Sequence, residues 1–311
     1  MNAEPDPLDP QMRAVFDRLK VLSQGLPDRW SVPLAEARAM MLAGRRHWIA
    51  SAPDLHAIEN TAIEGPLRAV PIRIYRPGPG NQRPAVVYFH GGGWAMGSVD
   101  THDLLMRRLA FASEKTVIGV DYAKAPEFKF PLPVEESASI MRIVAARAAD
   151  FGVDANRLAF GGDSAGANVA LAAALAAPGI FKAGILFYGA FDTDMDTPSY
   201  RRFGTGAFGL TRRDMEKFLA LYLDRDDQRR DPRVALVHAD LRGLPPLGIY
   251  PAGVDPLLDD STKFAHALAK AGVAHEQIVF DGLCHGFLHY PDHIDRAAQA
   301  IGQAARFMTK V

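Results

Sequence analysis

The chain is short of several things, and each shortage narrows what it can be. A single cysteine, Cys284, stands in 311 residues. No disulfide can form within the chain, which fits a reducing compartment. No apolar run approaches the roughly 18 residues of a spanning helix, so no membrane span is expected. Charge of one sign is lacking too, with 35 Lys and Arg against 36 Asp and Glu. The paired arginines (among them Arg45-Arg46, Arg107-Arg108 and Arg201-Arg202) lie scattered among acids rather than in a phosphate-binding stripe, and no nucleic-acid partner is expected. The opening MNAEPDPLDPQM has neither the basic start nor the apolar segment of a signal peptide. The expected location is the cytoplasm. No histidine–carboxylate spacing matches a zinc site, and no metal is expected.

What is present is an alternation. Asp9-Pro10 reads as an N-cap followed by proline at the first helical position, and Met12, Val15, Phe16, Leu19 and Leu22 then follow helical spacing. A second helix is expected near Ser31-Val32-Pro33, with Leu34, Ala37, Met40 and Met41 on its apolar line. From Val70 onward, short apolar strands take over: VPIRIYRP, AVVYFH, TVIGVDY, RLAFGG, KAGILFYGA, PPLGIYPAG and HEQIVFDG. Helical segments separate most of them, at about 132–150, 165–176, 259–271 and 292–308. This rhythm predicts an α/β fold with a mostly parallel central sheet flanked by helices. Residues 1–55 form an expected N-terminal helical segment, and 56–311 the main domain. The stretch of about 192–237 shows no clear strand and reads as an insertion packing with the N-terminal helices as a lid.

The chemistry is announced by LAFGGDSAGANVALAAALAA. A buried strand meets a helix through Gly162-Asp163-Ser164-Ala165-Gly166, a G-x-S-x-G pattern in strand–turn–helix context. Glycines on both sides leave room for a sharp turn that holds Ser164 above the sheet, at the carboxyl end of a strand, where ligands gather in parallel sheets. A serine hydroxyl needs a base, and the base needs an orienting carboxylate. Of ten histidines, His285 lies directly beyond the last strand. His289 is its rival one turn later, and His275 lies at the wrong end of that strand. Asp255 is the first carboxylate beyond LGIYPAGV, whereas Asp259 and Asp260 are expected to cap the following helix. Chain order is then Ser164, Asp255, His285, the order of α/β-hydrolases. A developing oxyanion needs backbone donors. His90-Gly91-Gly92-Gly93 follows a core strand with no side chain in the way, and the N–H of Ala165 would complete the set.

Together, His90-Gly91-Gly92-Gly93-Trp94, Gly162-Asp163-Ser164-Ala165-Gly166, Asp255-Pro256-Leu257 and His285-Gly286-Phe287 resemble the hormone-sensitive-lipase family of α/β-hydrolases, and its bacterial esterases most of all. Asp121-Tyr122-Ala123-Lys124-Ala125-Pro126-Glu127 is similar to the family's tyrosine-arginine-leucine-alanine-proline-glutamate segment but departs from it at Ala123 and Lys124, which stand where the family has arginine and leucine. The resemblance implies an α/β-hydrolase fold with a helical cap, and hydrolysis of short- to medium-chain acyl esters through an acyl-enzyme. It places Gly92, Gly93 and Ala165 in the oxyanion hole, with Gly91 as the adjacent alternative. It implies no cofactor and a small-molecule ester as partner, and it admits a homodimer.

Other signals are weaker. Gly204-Thr205-Gly206-Ala207-Phe208-Gly209 spells a dinucleotide pattern but lacks the preceding strand. Cys284 reads as a bystander. Trp94 and Met96 are candidates for the substrate pocket, and Met40, Met41, Phe203 and Phe208 for an apolar cap lining. The primary reading is a serine carboxylesterase. An amidase or arylformamidase-type hydrolase is the alternative on the same scaffold, and a non-catalytic small-molecule receptor is the alternative of another class.

Overall fold

Pro10 opens the first helix, and the reason is local. Asp9 accepts a hydrogen bond from the Gln11 N–H at 2.8 Å, and the proline that follows has no N–H to leave unpaired. The computed structural model describes residues 6–48 and 52–310. The remainder of the expected 1–55 segment (residues 1–5 and 49–51) lies outside the described residues, as does 311.

The two leading helices are α1 (Pro10–Leu22) and α2 (Leu34–Arg46). A hairpin follows, β1 (Ala57–Glu64) and β2 (Ala69–Arg76), then β3 (Arg83–Phe89), α3 (Asp103–Ser113), β4 (Thr116–Val120), α4 (Leu132–Ala146), β5 (Val153–Asp163), α5 (Ala165–Ala176) and β6 (Ala183–Phe187). The segment after β6 holds α6 (Pro198–Phe203) and α7 (Arg212–Tyr222). The chain closes with β7 (Leu247–Tyr250), β8 (Ala252–Val254), α8 (Leu258–Ala271), β9 (His275–Gln277), β10 (Phe280–Cys284) and α9 (Asp295–Lys310).

Eight strands form one sheet in the order β1-β2-β4-β3-β5-β6-β7-β9. The pairs from β4 through β9 are parallel, while β1 and β2 run antiparallel at one edge. Strands β3, β4, β6 and β7 are buried along most of their length, and β5 from Leu158 onward, because helices cover both faces. Two hydrophobic layers result, one on each side of the sheet.

The far edge departs from the sequence expectation. PPLGIYPAG and HEQIVFDG each read as one strand, yet each is split in two. Pro251 is the cause, since it has no N–H to donate and interrupts the ladder after Tyr250. Below the break β9 pairs with β7. Above it, β10 pairs with β8 as a separate two-stranded parallel ribbon.

Arg38 ties α2 to the body. The Arg38 guanidinium donates to the carbonyls of Ala95 and Ala125 at 2.8 and 2.9 Å, and it pairs with Glu127 at 2.7 Å.

Candidate active site

Ser164 is the whole turn between β5 and α5. Its backbone sits at φ 55°, ψ −126°, a conformation that residues with side chains rarely adopt. Neighbouring backbone leaves no alternative to glycine on either side. A Cβ on Gly162 would lie 2.5 Å from the Gly166 carbonyl oxygen, and one on Gly166 would lie 2.2 Å from that of Phe89. The Ser164 N–H donates to the Phe187 carbonyl at 2.9 Å, which pins the turn to β6.

The acid and base arrive from the ribbon above the proline break. Cys284 stands opposite Val254 in the β8–β10 pair. The next residues, His285 and Asp255, therefore leave side by side. His285 Nδ1 lies 2.7 Å from Asp255 Oδ2, and its Nε2 lies 2.9 Å from Ser164 Oγ. A carboxylate at Nδ1 fixes the proton there and leaves Nε2 as an acceptor. Asp255 is buried, and its other oxygen accepts from the Leu257 N–H at 2.9 Å. The Tyr188 ring meets the imidazole edge-on at 4.9 Å.

The rival residues make no hydrogen bond to Ser164. His289 is buried against His102, with ring centres 4.7 Å apart. Burial first, and then the charge of Arg45, hold it well below its ordinary pKa. His275 bonds through Nδ1 to the Val273 carbonyl at 2.9 Å. Asp259 and Asp260 do not cap α8. Its N-cap position is Leu257, with no side-chain bond, because both acids are drawn across to the segment after β6. Asp259 accepts from the Ser199 N–H at 2.9 Å and Asp260 from the Asp192 N–H at 3.1 Å. Cys284 is buried and its thiol is pushed up to about 12 by burial, so it is no ready nucleophile.

Beside the serine lies the glycine loop. Gly92 and Gly93 have φ of 131° and 58°, and a Cβ on Gly93 would strike the Phe218 ring at 2.2 Å. The Gly91 N–H is already committed, to Asp163 Oδ1 at 3.1 Å and His102 Nε2 at 3.2 Å. The N–H groups of Gly92, Gly93 and Ala165 have no acceptor among the described residues.

That commitment exposes a network the sequence does not announce. Asp163 is fully buried and accepts from Tyr88 Oη at 3.1 Å as well as from Gly91, and its other oxygen faces His102 Nε2 at 3.3 Å. Burial alone would raise its pKa, but His102 and the hydrogen bonds outweigh this and hold it below the usual value. Next to it His90 bonds to Asp121 at 3.3 Å, and Lys124 pairs with the same carboxylate. Lys124 thus braces the loop's first residue. The ligand atoms of His102, Asp163 and His289 lie within 4.8 Å of one another. Both oxygens of Asp163 are nonetheless taken up by Tyr88, Gly91 and His102, the pattern of a brace.

Ser164 and His285 open into a cavity of about 550 Å³. Of the expected lining residues, Met40, Met41, Trp94 and Met96 face it. Trp94 is held in place by stacking on Tyr222 at 4.9 Å and by donating to Asn168 at 3.2 Å. Phe203 and Phe208 do not line it. Their rings pack on each other edge to face at 5.8 Å, and Phe203 is spent in the core.

A turn that exposes a serine, an imidazole and carboxylate behind it, and unpaired amides beside it define a hydrolase of the α/β type. The chain belongs to the family described as alpha/beta hydrolase fold, which matches residues 86–289. An acetyl esterase of Salmonella paratyphi A is 34% identical over 98% of this chain and 97% of its own length. Among solved structures, an esterase of Pyrobaculum calidifontis superposes with a TM-score of 0.91 at 31% identity, covering 98% of this chain and 99% of that one. A thermophilic carboxylesterase cloned from a metagenomic library does so at 0.85 and 31%, covering 89% and 97%. Among the described residues no helix is long and apolar enough to cross a membrane.

Proposed function

We propose that this chain, a carboxylic ester hydrolase, cleaves small-molecule acyl esters of short to medium chain length through an acyl-enzyme at Ser164. The observation that carries the reading is the unbroken hydrogen-bonded line Asp255–His285–Ser164, opening into a cavity beside three unengaged amides. As Ser164 Oγ attacks the ester carbonyl, its proton passes to His285 Nε2. Asp255 stabilises the imidazolium. The carbonyl oxygen becomes an oxyanion that accepts from Gly92, Gly93 and Ala165. His285 then gives its proton to the leaving alcohol as the C–O bond breaks. Water repeats the two steps on the acyl-enzyme and releases the acid.

Gly91 takes no part in this scheme, since its N–H serves Asp163. α1, α2 and α7 act as the cap, because Met12, Met40, Met41, Met215 and Phe218 form an apolar wall over the serine. The finer placement, among bacterial esterases of the hormone-sensitive-lipase type, rests on the order of the four motifs together with the acetyl esterase relatives.

A series of nitrophenyl esters from acetyl to palmitoyl tests the substrate class, alongside labelling by a fluorophosphonate probe. Cleavage is expected for the short and medium chains and should fade well before palmitoyl. Labelling should vanish in Ser164→Ala. A formyl-anilide turned over faster than every ester would replace this reading with the amidase one.

A further inference from the structure

We infer that Arg45 makes the site selective for esters whose alcohol half carries an anionic group, such as an acylated hydroxy acid. The inference rests on the esterase reading and refines its substrate.

Arg45 is half-buried and lines the cavity that holds Ser164. Its guanidinium donates to Tyr290 Oη at 3.0 Å and stands over the same ring at 5.8 Å. No carboxylate pairs with it among the described residues. Four other half-buried arginines do have one, while Arg83 meets backbone carbonyls instead. Arg38 meets Glu127 at 2.7 Å, Arg68 meets Glu136 at 2.8 Å, Arg73 meets Asp100 at 2.6 Å and Arg76 meets Glu59 at 2.7 Å. A guanidinium withdrawn from water into a largely apolar pocket is costly unless an anion meets it. Its planar fork suits a carboxylate or phosphate. Favourable placement at the C-terminal end of α2 does not account for it, because Arg46 occupies the same last turn and is exposed to solvent.

The rest of the cavity has the same sign. Lys20 and Arg29 also line it, and the one carboxylate along its wall among the described residues, Asp163, is buried and engaged by Gly91, Tyr88 and His102. An anionic ligand would therefore meet no exposed acid there.

Which half of the ester carries the anion follows from the chemistry. The leaving oxygen must come within reach of His285 Nε2 to take its proton. Arg45 shares its wall with Gly286, His289 and Tyr290, the residues that follow the base. Its charge also reaches two neighbours of that base, lowering the pKa of His289 after the larger effect of burial and opposing the burial-driven rise at Tyr188. The stretch of wall where Phe218 lies over Gly93 is apolar. The alcohol half thus faces the cation and the acyl half faces the apolar wall.

The test compares the butyrate ester of 4-hydroxybenzoate with that of 4-hydroxybenzamide, in the wild type, Arg45→Met and Arg45→Lys. The ratio of the two kcat/KM values cancels general damage to the site. It should fall by about ten-fold or more in Arg45→Met and by less in Arg45→Lys. A ratio that stays the same in Arg45→Met overturns the inference. So does a charge dependence that appears instead with phenyl hydrogen glutarate, whose anion is on the acyl side. If the wild type cleaves neither butyrate and Ser164 resists the fluorophosphonate, the esterase reading itself has failed. If it cleaves both without regard to charge, only the present inference falls.

Discussion

Two of the site's histidine–aspartate pairs are placed for opposite tasks. His285 and Asp255 lie 2.7 Å apart, with the imidazole 13% exposed and its far nitrogen on the serine. His102 and Asp163 lie 3.3 Å apart, and both are sealed in. The first pair ends in a cavity. The second ends in a backbone amide, the N–H of Gly91. In the proposed mechanism the same chemistry serves proton transfer where one nitrogen meets a hydroxyl, and serves as a clamp where every polar atom meets protein. Asp163 adjoins Ser164 in the chain, so the clamp ties the nucleophile's turn to the glycine loop. Position relative to open space, rather than residue type, separates the two roles.

The sharpest way to break this contrast is to remove the hydroxyl that only the first pair touches. Ser164→Ala should lower kcat on the order of a million-fold in a nitrophenyl ester assay while the thermal melt stays near the wild type. Asp255→Asn should cost about ten-thousand-fold, since the imidazole loses its tautomer and its counter-charge. The same change at the second pair should be far milder. Asp163→Asn is expected to lower kcat by about ten- to a hundred-fold with little change in KM, through a loosened oxyanion loop. Equal losses in Asp163→Asn and Asp255→Asn would erase the distinction between clamp and relay.

Acid titration sharpens it further. The folded pKa of Asp163 lies below its unfolded value, so its stabilising contribution is complete above the unfolded value of about 3.9 and is lost as pH falls through the folded one. Acid unfolding followed by circular dichroism below about pH 4 should show a shallower loss of stability in Asp163→Asn than in the wild type. Smallest of all, Tyr88→Phe removes one donor to Asp163 and should cost about 1–3 kcal/mol in a denaturant melt. No loss there would mean that the phenol contributes nothing to the clamp.

Much of this was legible in one dimension. The glycine-boxed serine, the strand endings before Asp255 and His285, and the apolar strands of a parallel sheet are all local patterns. What stayed hidden is what depends on distant contacts. His102 and Asp163 are 61 residues apart, and neither carries a sequence mark of its partnership. β1 reads AIENTAIE and is largely exposed, so it offers no hydrophobic signal at the sheet edge. α3 is a short crossover whose Leu104, Leu105, Met106 and Leu109 are buried almost all around, which blurs helical periodicity. Phe203 and Phe208 have the composition of a pocket wall, but their rings face each other. Arg45 looks like half of one more basic doublet until the cavity shows it with no carboxylate partner among the described residues.

The proline break at residue 251 has a mechanical outcome. Because Val254 and Cys284 are register partners on one small ribbon, a sway of that ribbon would carry the carboxylate and the imidazole together and leave their spacing unchanged. Ser164 rides on β5, in the middle of the large sheet, and does not share the sway. Thermal motion at this edge would therefore fall on the gap between imidazole and hydroxyl, the one separation that must vary in the proposed proton transfer, and would spare the bond that only has to hold.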